Sequence, residues 1–482
     1  MAACLFQHRW GRDGCSVSLI ESSSIPIIGV GEGSTPQLKA FFDEIGIAES
    51  EWMPACHATY KVGIRFEGWS ERPGFESYFH PFATALDMHT GNDLLRNCWL
   101  RRRGIDVPAH PDRFFVPTRL AEENRAPLPN ADFPFLTTYG YHFDATLVGA
   151  FLRGIAIDRG VTHIDAKVVD VALRENGDVA ALLADDDRKF EADLFVDASG
   201  FRALIIEGAL REPHRSFQSN LFNDRAVVAP TSLPGSGPGV CTTSTALNAG
   251  WVWNIPLTNR IGNGYVYSSR YLDAETAEKE FRGHLALADT DDVRHLDMKV
   301  GRVERSWVRN CLAIGLAQGF IEPLEATALH IVLSTIDGFM KRVDRIGDTD
   351  EARRDFNDDI ARRYEGIRDY IVCHYRAAPR GGSDYWRDAT RHDELSDSLK
   401  QLFTAWFTGA DMVEEITRQD ISGYYPVLSW HCLFGGYGNY PQKLQPAPNG
   451  METADLARID HFVTACSTHY PAHAEALAQL GH

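Results

Sequence analysis

The chain has 482 residues, 44% of them hydrophobic, which is long enough for two or three domains around a large core. Its net charge of −18 argues against a surface that binds nucleic acid, and no apolar run approaches the ~18–20 residues of a membrane span. The nine scattered cysteines predict neither a metal site nor a disulfide framework, and they are typical of the reduced thiols of a cytoplasmic protein.

The first predicted elements alternate between helix and strand. Residues 2 to about 11 predict a helix, residues 16–21 a strand, and residues 28–36 a glycine-rich loop. This order is typical of a doubly wound nucleotide-binding fold, in which an acidic residue after the second strand accepts hydrogen bonds from a ribose. Glu21 is the candidate for that role, although an ordinary turn is the alternative for the loop. The loop contains Gly29, Gly31 and Gly33. Because glycine has no Cβ, the backbone at these residues could come close to a flat cofactor.

A lysine lies in the next predicted strand, between apolar and aromatic residues. Lys61 follows Tyr60 and precedes Val62. A buried lysine is costly without a partner and its pKa shifts readily, which suits acid–base or covalent chemistry. The alternative is an edge-strand lysine whose ammonium group reaches water.

The middle of the chain continues the alternation. Residues 71–140 are rich in Pro, Phe, His and Arg and read as an insertion. The elements predicted after it are a helix at 146–159, a hairpin at 168–183 and a buried parallel strand at 193–199.

Two tryptophans stand two residues apart in the segment 250–256, which ends in Ile-Pro. Side chains at this spacing point the same way from an extended backbone, so Trp251 and Trp253 would form one wall of an aromatic pocket. The alternative is a strand with two aromatic side chains in a core.

The segment 320–330 reads Phe-Ile-Glu-Pro-Leu-Glu-Ala-Thr-Ala-Leu-His, a loop that opens a helix through about Phe339. The N-terminus of a helix offers free backbone N–H groups to an anion, although acidic residues there also favour the helix dipole alone. The chain is predicted to be mainly helical from Ala326 onward. Residues 349–378 predict a solvated helix, because charges alternate on one face.

In order and spacing, these motifs resemble those of the flavin-dependent halogenases, the family of the tryptophan halogenases. The family has a Gly-Val-Gly-Glu loop that forms a strap over the isoalloxazine, a lysine at the position of Lys61, a Trp-x-Trp-x-Ile-Pro segment and a Glu-Pro-Leu-Glu-Ser-Thr-Gly segment. Residues 141–144, 193–200 and 432–436 also find counterparts in order. The resemblance therefore covers nearly the whole chain.

The resemblance implies an α/β fold: an FAD-binding, doubly wound box of the flavoprotein monooxygenase type with a mainly helical second domain. We expect an FAD- and halide-binding module at 1–345, with the substrate-side insertion at about 71–140, and a helical substrate-binding domain at 346–482. Such a fold begins with a strand and a Gly-x-Gly-x-x-Gly loop, whereas this chain begins within the following helix. We expect that strand and loop to be missing from this chain, through an internal start or a real loss.

The implied cofactors are FAD as FADH2, O2 and a halide, chloride or bromide, with a separate NAD(P)H-dependent flavin reductase as partner. A flavin C4a-hydroperoxide would oxidise the halide to hypohalous acid. The halide would lie at Thr327 and the amide of Ala328, where Ala326 and Ala328 replace the family's serine and glycine. The residues implied to bind FAD are Glu21, Gly29, Gly31, Glu32, Gly33, Asp197 and Gly200.

Lys61 matches the catalytic lysine that directs hypohalous acid onto an electron-rich aromatic carbon. Glu325 would stabilise the cationic intermediate or take its proton. Because residues 419–430 lack an evident acidic partner for an ammonium group, we expect indole or another small substituted aromatic rather than free tryptophan. The implied substrate contacts are His80, Phe82, Trp251, Trp253 and Trp430.

Two other functions stay open at this point, as does a possible homodimer. A flavin-dependent aromatic hydroxylase on the same fold would transfer hydroxyl instead of halogen, although Lys61 and the Trp-x-Trp segment count against it. An inactive truncated flavoprotein is the second alternative, because the glycine loop is expected to be missing.

Overall fold

The computed structural model describes residues 1–25, 29 and 31–481. The strands are β1 (Ser18–Glu21), β2 (Glu32–Gly33), β3 (Thr59–Lys61), β4 (Gly63–Glu67), β5 (Ser77–Pro81), β6 (Ile105–Asp106), β7 (Gly140–Phe143), β8 (Thr162–Asp165), β9 (Val168–Leu173), β10 (Val179–Ala184), β11 (Lys189–Phe190), β12 (Phe195–Asp197), β13 (His214–Ser216), β14 (Arg225–Thr231), β15 (Thr242–Leu247), β16 (Gly250–Pro256), β17 (Ile261–Tyr267), β18 (Arg294–Asp297), β19 (Gly301–Val303), β20 (Trp307–Val308), β21 (Cys311–Ala313), β22 (Gly319–Phe320) and β23 (Gln445–Pro446).

The α-helices are α1 (Ala2–Trp10), α2 (Gln37–Glu44), α3 (Glu49–Trp52), α4 (Met88–Arg102), α5 (Val116–Glu122), α6 (Ala145–Asp158), α7 (Ala274–Leu285), α8 (Ala328–Ile346), α9 (Asp350–Ala377), α10 (Asp384–Arg391), α11 (Asp397–Thr408), α12 (Met412–Gln419), α13 (Val427–Gly436), α14 (Leu456–Ser467) and α15 (His473–Gln479). None of the helices among the described residues is long and apolar enough to cross a membrane.

The largest sheet has seven strands in the order β18-β14-β17-β16-β15-β4-β5. Its strands pair antiparallel except for β15 and β4, which run parallel. The strand β16 lies in the middle, where Trp253 pairs with Gly264 of β17. A Cβ atom on Gly264 would come within 2.1 Å of the Trp253 ring, so this indole fits only because its partner is glycine. The strand β5, from the segment predicted as an insertion, forms one edge and places His80 opposite Ile64.

Parallel strand pairs confirm the predicted α/β class. β1 pairs with β8 in parallel, and β12 pairs with β21 in the same way. The predicted N-terminal helix, the helix at 146–159, the hairpin at 168–183 and the strand near 195 all form, as α1, α6, β9–β10 and β12. The expectation about a strand before Met1 stays a prediction.

A small three-stranded sheet, β2-β7-β3, brings the glycine loop beside the lysine. Gly33 of β2 pairs with His142 of β7, and Lys61 of β3 pairs with Gly140 of the same strand. The predicted loop is therefore linked, through the shared neighbour β7, to the strand that carries the candidate catalytic residue. Ile28 and Val30 of this loop lie outside the described residues.

The C-terminal part is mainly helical, as predicted, but the expectation of a solvated helix at 349–378 is wrong for half of it. Helix α9 exposes charged side chains in its first turns, whereas every residue from Asp369 to Tyr375 is buried. The apolar run Ile371-Val372-Cys373 removes the polar face at this point, so the helix packs on all sides. This buried half carries His374, which belongs to the site described next.

Candidate active site

A cavity of about 270 Å³ lies between β5, the start of α8 and the start of α13. Aromatic, apolar and a few titratable side chains form its wall, a composition typical of a small-molecule site. The lining residues are Thr35, Pro36, Gln37, His80, Pro81, Phe82, Ala83, Thr138, Glu325, Thr327, His330, Ile367, Tyr424, Tyr425, Pro426, Leu428, Ser429 and Cys432.

Glu325 is buried in this wall between two histidines. Its carboxylate accepts hydrogen bonds from Nδ1 of His80 at 3.0 Å and from Nε2 of His374 at 2.9 Å. Burial by itself raises the pKa of Glu325, but the charge and hydrogen bonds of the two histidines outweigh it and lower the pKa to about 2. The carboxylate is therefore ionised near neutral pH. Burial lowers the pKa of His374, against the pull of Glu325, so this imidazole is neutral there.

Lys61 is fully buried, as the sequence predicts, with its Nζ 5.4 Å from the ring centroid of Phe82. Nζ has no hydrogen-bond partner among the described residues. Burial lowers the pKa of Lys61 to about 8, and the carboxylate of Glu325 opposes that shift. A substantial fraction of this amine is consequently unprotonated just above neutral pH. Phe82 is itself part of the cavity wall, so Lys61 lies next to a lining residue.

The glycine loop passes directly over this lysine. A Cβ atom on Gly33 would lie 3.1 Å from the Nζ of Lys61, and one on Gly29 would lie 3.1 Å from Oγ1 of Thr146. Gly31 has φ +100°, which favours glycine. Glycine is thus favoured by backbone conformation at Gly31, and at Gly29 and Gly33 by the close approach of a neighbouring side chain. Burial raises the pKa of Glu32, between the last two glycines, to about 7, even though part of this residue stays exposed.

The predicted halide residues stand at the N-terminus of the 19-residue helix α8. Thr327 is the N-cap residue and is buried in the cavity wall, and Ala328 is the first residue of the helix. Because Ala328 has helical backbone geometry, an alanine replaces glycine there without strain. The preceding Ala326 has φ +54°, in the left-handed region that favours glycine.

The three predicted substrate tryptophans are not among the lining residues of this cavity, and their contact with a substrate stays a prediction. Trp251 and Trp253 point the same way, with ring centroids 6.1 Å apart, but both are buried in the core. Trp251 donates from Nε1 to Glu322 at 3.0 Å. Trp430 is also buried and lies edge-on to Tyr370, with ring centroids 4.9 Å apart. Of the predicted substrate contacts, the structure brings His80 and Phe82 to the cavity.

The remaining predicted cofactor residues lie away from this cavity. Glu21 ends β1 and accepts hydrogen bonds from Arg153 and His163, each at 3.0 Å. Asp197 is buried, and its carboxylate accepts from Ser199 and from the backbone N–H groups of residues 205 and 206. These hydrogen bonds are all within the chain, and the contact of Asp197 with a cofactor stays a prediction. Asp197 shapes the loop that presents Gly200, whose φ is +72°.

The comparisons with known proteins decide which family this site belongs to. The family model "Tryptophan halogenase" matches residues 1–453. The 7-chloro-L-tryptophan 6-halogenase KtzR of Kutzneria sp. (strain 744) is 34% identical, over 100% of this chain and 97% of the relative. The chain belongs to the tryptophan halogenase family. It is a flavin-dependent halogenase.

Solved structures of the family have the same fold. Tar14, a tryptophan C-6 flavin-dependent halogenase (chlorinase) from taromycin biosynthesis, matches with a TM-score of 0.85 at 32% identity, over 100% of this chain and 97% of Tar14. BrvH, a flavin-dependent halogenase from Brevundimonas sp. BAL3, matches with a TM-score of 0.83 at 32% identity, over 99% of this chain and 96% of BrvH.

Sequence reasoning missed three side chains that complete the surroundings of Glu325 in this halogenase. His374 lies in the helix predicted to be solvated, Ser429 bonds to His80 at 2.9 Å, and Tyr437 bonds to His374 at 2.9 Å. The apolar run before His374 is the one signal that could have indicated its burial. The residues next to Ser429 and Tyr437 in sequence do not indicate their hydrogen bonds, because the partners, His80 and His374, come from distant segments.

Proposed function

We propose that this halogenase transfers oxidised chlorine or bromine, through Lys61, to an electron-rich carbon of an indole-type substrate other than free tryptophan. The observation that carries the proposal is the buried Nζ of Lys61, which lies behind the cavity wall without a hydrogen-bond partner among the described residues. An unprotonated amine in a dry site is a nucleophile toward electrophilic halogen, and its lowered pKa increases the unprotonated fraction.

The wall of the cavity supports a substrate without an ammonium or carboxylate group. Glu325 is the one carboxylate among the described lining residues, and both of its oxygens already accept from histidine. Lysine and arginine are missing from that lining, although Arg363 lies behind the wall, over Tyr424 and beside His330. An amino acid would therefore bury two charges with no free partner, which is costly. Tyr424, Tyr425 and Leu428 instead suit the faces of an aromatic ring.

The residues present fit an FAD cofactor. A Cβ atom on Gly33 would press on the Nζ of Lys61, and Gly200 faces open space. We infer that Gly29, Gly31 and Gly33 lie over the isoalloxazine, with Glu21 and the loop at Gly200 toward the rest of the cofactor. Reduced FAD, supplied by a separate reductase, provides with O2 the oxidising power that converts halide to hypohalous acid. Thr327 and the amide of Ala328 hold the halide at the positive end of helix α8.

The test is halogenation of indole and of free tryptophan by the FAD-loaded enzyme with a flavin reductase, NADH and bromide or chloride, followed by mass spectrometry. We expect halogenated indole and little halogenated tryptophan. In Lys61→Ala, halogenated product should disappear while reoxidation of reduced flavin by O2 continues, because the lysine acts on the halogen. Lys39→Ala is the matched control, since Lys39 is a more exposed lysine paired with Asp43.

Three outcomes would contradict the proposal in different ways. Preferred halogenation of free tryptophan would overturn the substrate class. Equal halogenation by Lys61→Ala would remove the lysine from the reaction. A product that gains oxygen and does not depend on halide would indicate a hydroxylase.

A further inference from the structure

A continuous chain of five hydrogen-bonded side chains leads from the cavity wall into the core: Ser429, His80, Glu325, His374 and Tyr437. The successive contacts measure 2.9, 3.0, 2.9 and 2.9 Å. All five members are buried. Hydrogen bonds of this kind hold each imidazole in one orientation and one tautomer.

We propose that His80 accepts the proton that leaves the aromatic carbon on halogenation, that Glu325 stabilises the resulting imidazolium, and that His374 is a positioning residue behind Glu325. This inference rests on the proposed function. It assigns the proton acceptor to a histidine, not to the carboxylate that the family resemblance indicates.

The first support is the occupancy of the carboxylate. Oε1 of Glu325 accepts from both His80 and His374, and Oε2 also lies 3.0 Å from Nδ1 of His80. Only 3% of Glu325 is exposed. The carboxylate is thus committed to the two imidazoles, and a substrate carbon would have to displace a histidine to reach it.

The second support is the direction of the lone pair on His80. An ionised carboxylate can only accept, so Nδ1 of His80 carries the hydrogen and Nε2 carries the lone pair. This Nε2 accepts from the hydroxyl of Ser429, which lines the cavity together with His80. A serine hydroxyl rotates readily, so a substrate in the cavity can take its place beside Nε2. The imidazole of His80 then lies between the carboxylate of Glu325 and the cavity, which is the arrangement of a general base that a carboxylate orients.

The reaction balances with these groups. The ring forms its carbon–halogen bond while the bond between halogen and the nitrogen of Lys61 breaks, and the nitrogen keeps that pair. The ring C–H bond then breaks, its electrons restore aromaticity, and the proton moves to Nε2 of His80. The imidazolium is paired with Glu325 until it returns the proton to the lysine nitrogen, which restores the amine.

Few other groups near His80 change charge close to neutral pH. Burial raises the pKa of Tyr370, Tyr425 and Cys432 well above their ordinary values, so these side chains stay neutral. Burial lowers the pKa of His330, across the cavity, to about 4, and that of His374 also lies below its ordinary value. Lys61 is the remaining group, with a pKa of about 8. Because only the unprotonated amine accepts halogen, the acidic limb of a pH–rate profile should report Lys61.

The sharpest test is competition between ordinary and ring-deuterated indole in FAD-loaded enzyme with reductase and bromide. In the wild type, halogen transfer should limit the rate, and the two substrates should be consumed equally. His80→Asn keeps a donor near the Nδ1 position but has no basic nitrogen. We expect halogenation to slow about 10²–10⁴-fold, the usual contribution of a general base, and ordinary indole to be consumed faster than deuterated indole.

The control is His431→Gln, because His431 is a buried histidine of helix α13 whose Nδ1 bonds to the carbonyl of Val427, outside the chain of five. It should show no isotope effect. His374→Phe should lower kcat with KM unchanged and show a smaller isotope effect of the same kind as His80→Asn, because Glu325 loses a donor that holds it toward His80. His374→Gln, which restores a donor, should return both quantities toward those of the wild type.

Two results would overturn the inference while the proposed function stands: His80→Asn halogenating at the wild-type rate without an isotope effect, or an isotope effect in Glu325→Gln alone. If His80→Asn does not fold, His374→Phe still decides the matter, because the less well positioned base should create the isotope effect there too. Its absence in a folded His374→Phe variant would contradict the inference. A wild type that halogenates no indole would instead refute the proposed function.

Discussion

Glu322 and Glu325 stand three residues apart, and both are buried, yet their surroundings are opposite. Glu325 accepts from two imidazoles, whose charge and hydrogen bonds lower its pKa to about 2 against the effect of burial. Glu322 accepts from neutral donors, the indole of Trp251, the hydroxyl of Tyr375 and the amide of Asn223, and burial raises its pKa. One carboxyl group is a fixed negative charge at the cavity, whereas the other tends toward the neutral acid in the core.

The difference shows that burial alone does not set the charge of a carboxyl group. A partner that can carry positive charge favours the carboxylate, while neutral donors only partly offset the loss of water. The sequence Glu-Pro-Leu-Glu gives no sign of this division. It arises from the elements that pack on either side of the turn.

The largest effect should separate the two glutamates in activity. Glu325→Gln removes the negative charge that stabilises an imidazolium, so we expect indole halogenation to fall at least about 10²-fold. Glu322→Gln keeps a carbonyl oxygen for Trp251 and Tyr375 and should retain most of the activity. Steady-state kinetics of both variants at equal FAD occupancy test the pair. Equal losses would mean that the charge at Glu325 has no special role.

Stability should depend on pH with opposite signs in the same two variants. Ionised Glu325 stabilises the fold above its ordinary pKa of 4.5, and this contribution is lost as pH falls toward 2. For Glu322, whose folded pKa is raised, the stabilising form is the neutral acid, and its contribution is lost as pH rises through that pKa. Relative to the wild type, Glu325→Gln should therefore lose stability with rising pH, and Glu322→Gln should gain it. Urea unfolding between acidic and neutral pH measures both slopes, and parallel slopes would contradict the assignment.

The two core tryptophans should also differ on substitution by phenylalanine. Trp251→Phe leaves the buried Glu322 short of a donor, and an unsatisfied buried group costs about 1–3 kcal/mol. The Nε1 of Trp253 has no partner among the described residues, so Trp253→Phe should lose only packing. Chemical denaturation would show the difference. If Trp253 separates the flavin from the substrate, the folded variant should also release some hydroxylated product, and an unchanged product profile would exclude that role.

The smallest effect concerns the glycine loop. In Gly33→Ala, the new methyl group would meet the Nζ of Lys61 at about 3.1 Å, closer than ordinary contact, so the lysine must move slightly. We expect a reduced kcat for halogenation with normal folding. Gly235→Ala is the control, because nothing lies within 4 Å of its Cβ position. Equal kcat in both variants would show that Lys61 tolerates displacement.

Local patterns predicted the parts of the site that depend on neighbours in sequence. The apolar flanks of Lys61 indicated its burial, and Pro323 followed by an apolar run indicated a helix, which in the structure begins at Ala328. The spacing of Trp251 and Trp253 fixed their common direction but not what lies on that side, because the covering residues come from elsewhere. The surroundings of Glu325 could not be predicted at all, since their geometry depends on how distant segments pack.

That dependence has a consequence for folding. His80 and Ser429 are 349 positions apart, and Glu325 and His374 are 49 apart, so the chain of five closes very long loops. Contacts of this separation form late, because closing such loops costs entropy before any contact repays it. The chain of five cannot close until helix α13, which carries Ser429, packs against His80. A nascent chain of this halogenase thus has to be nearly complete before these five side chains can meet.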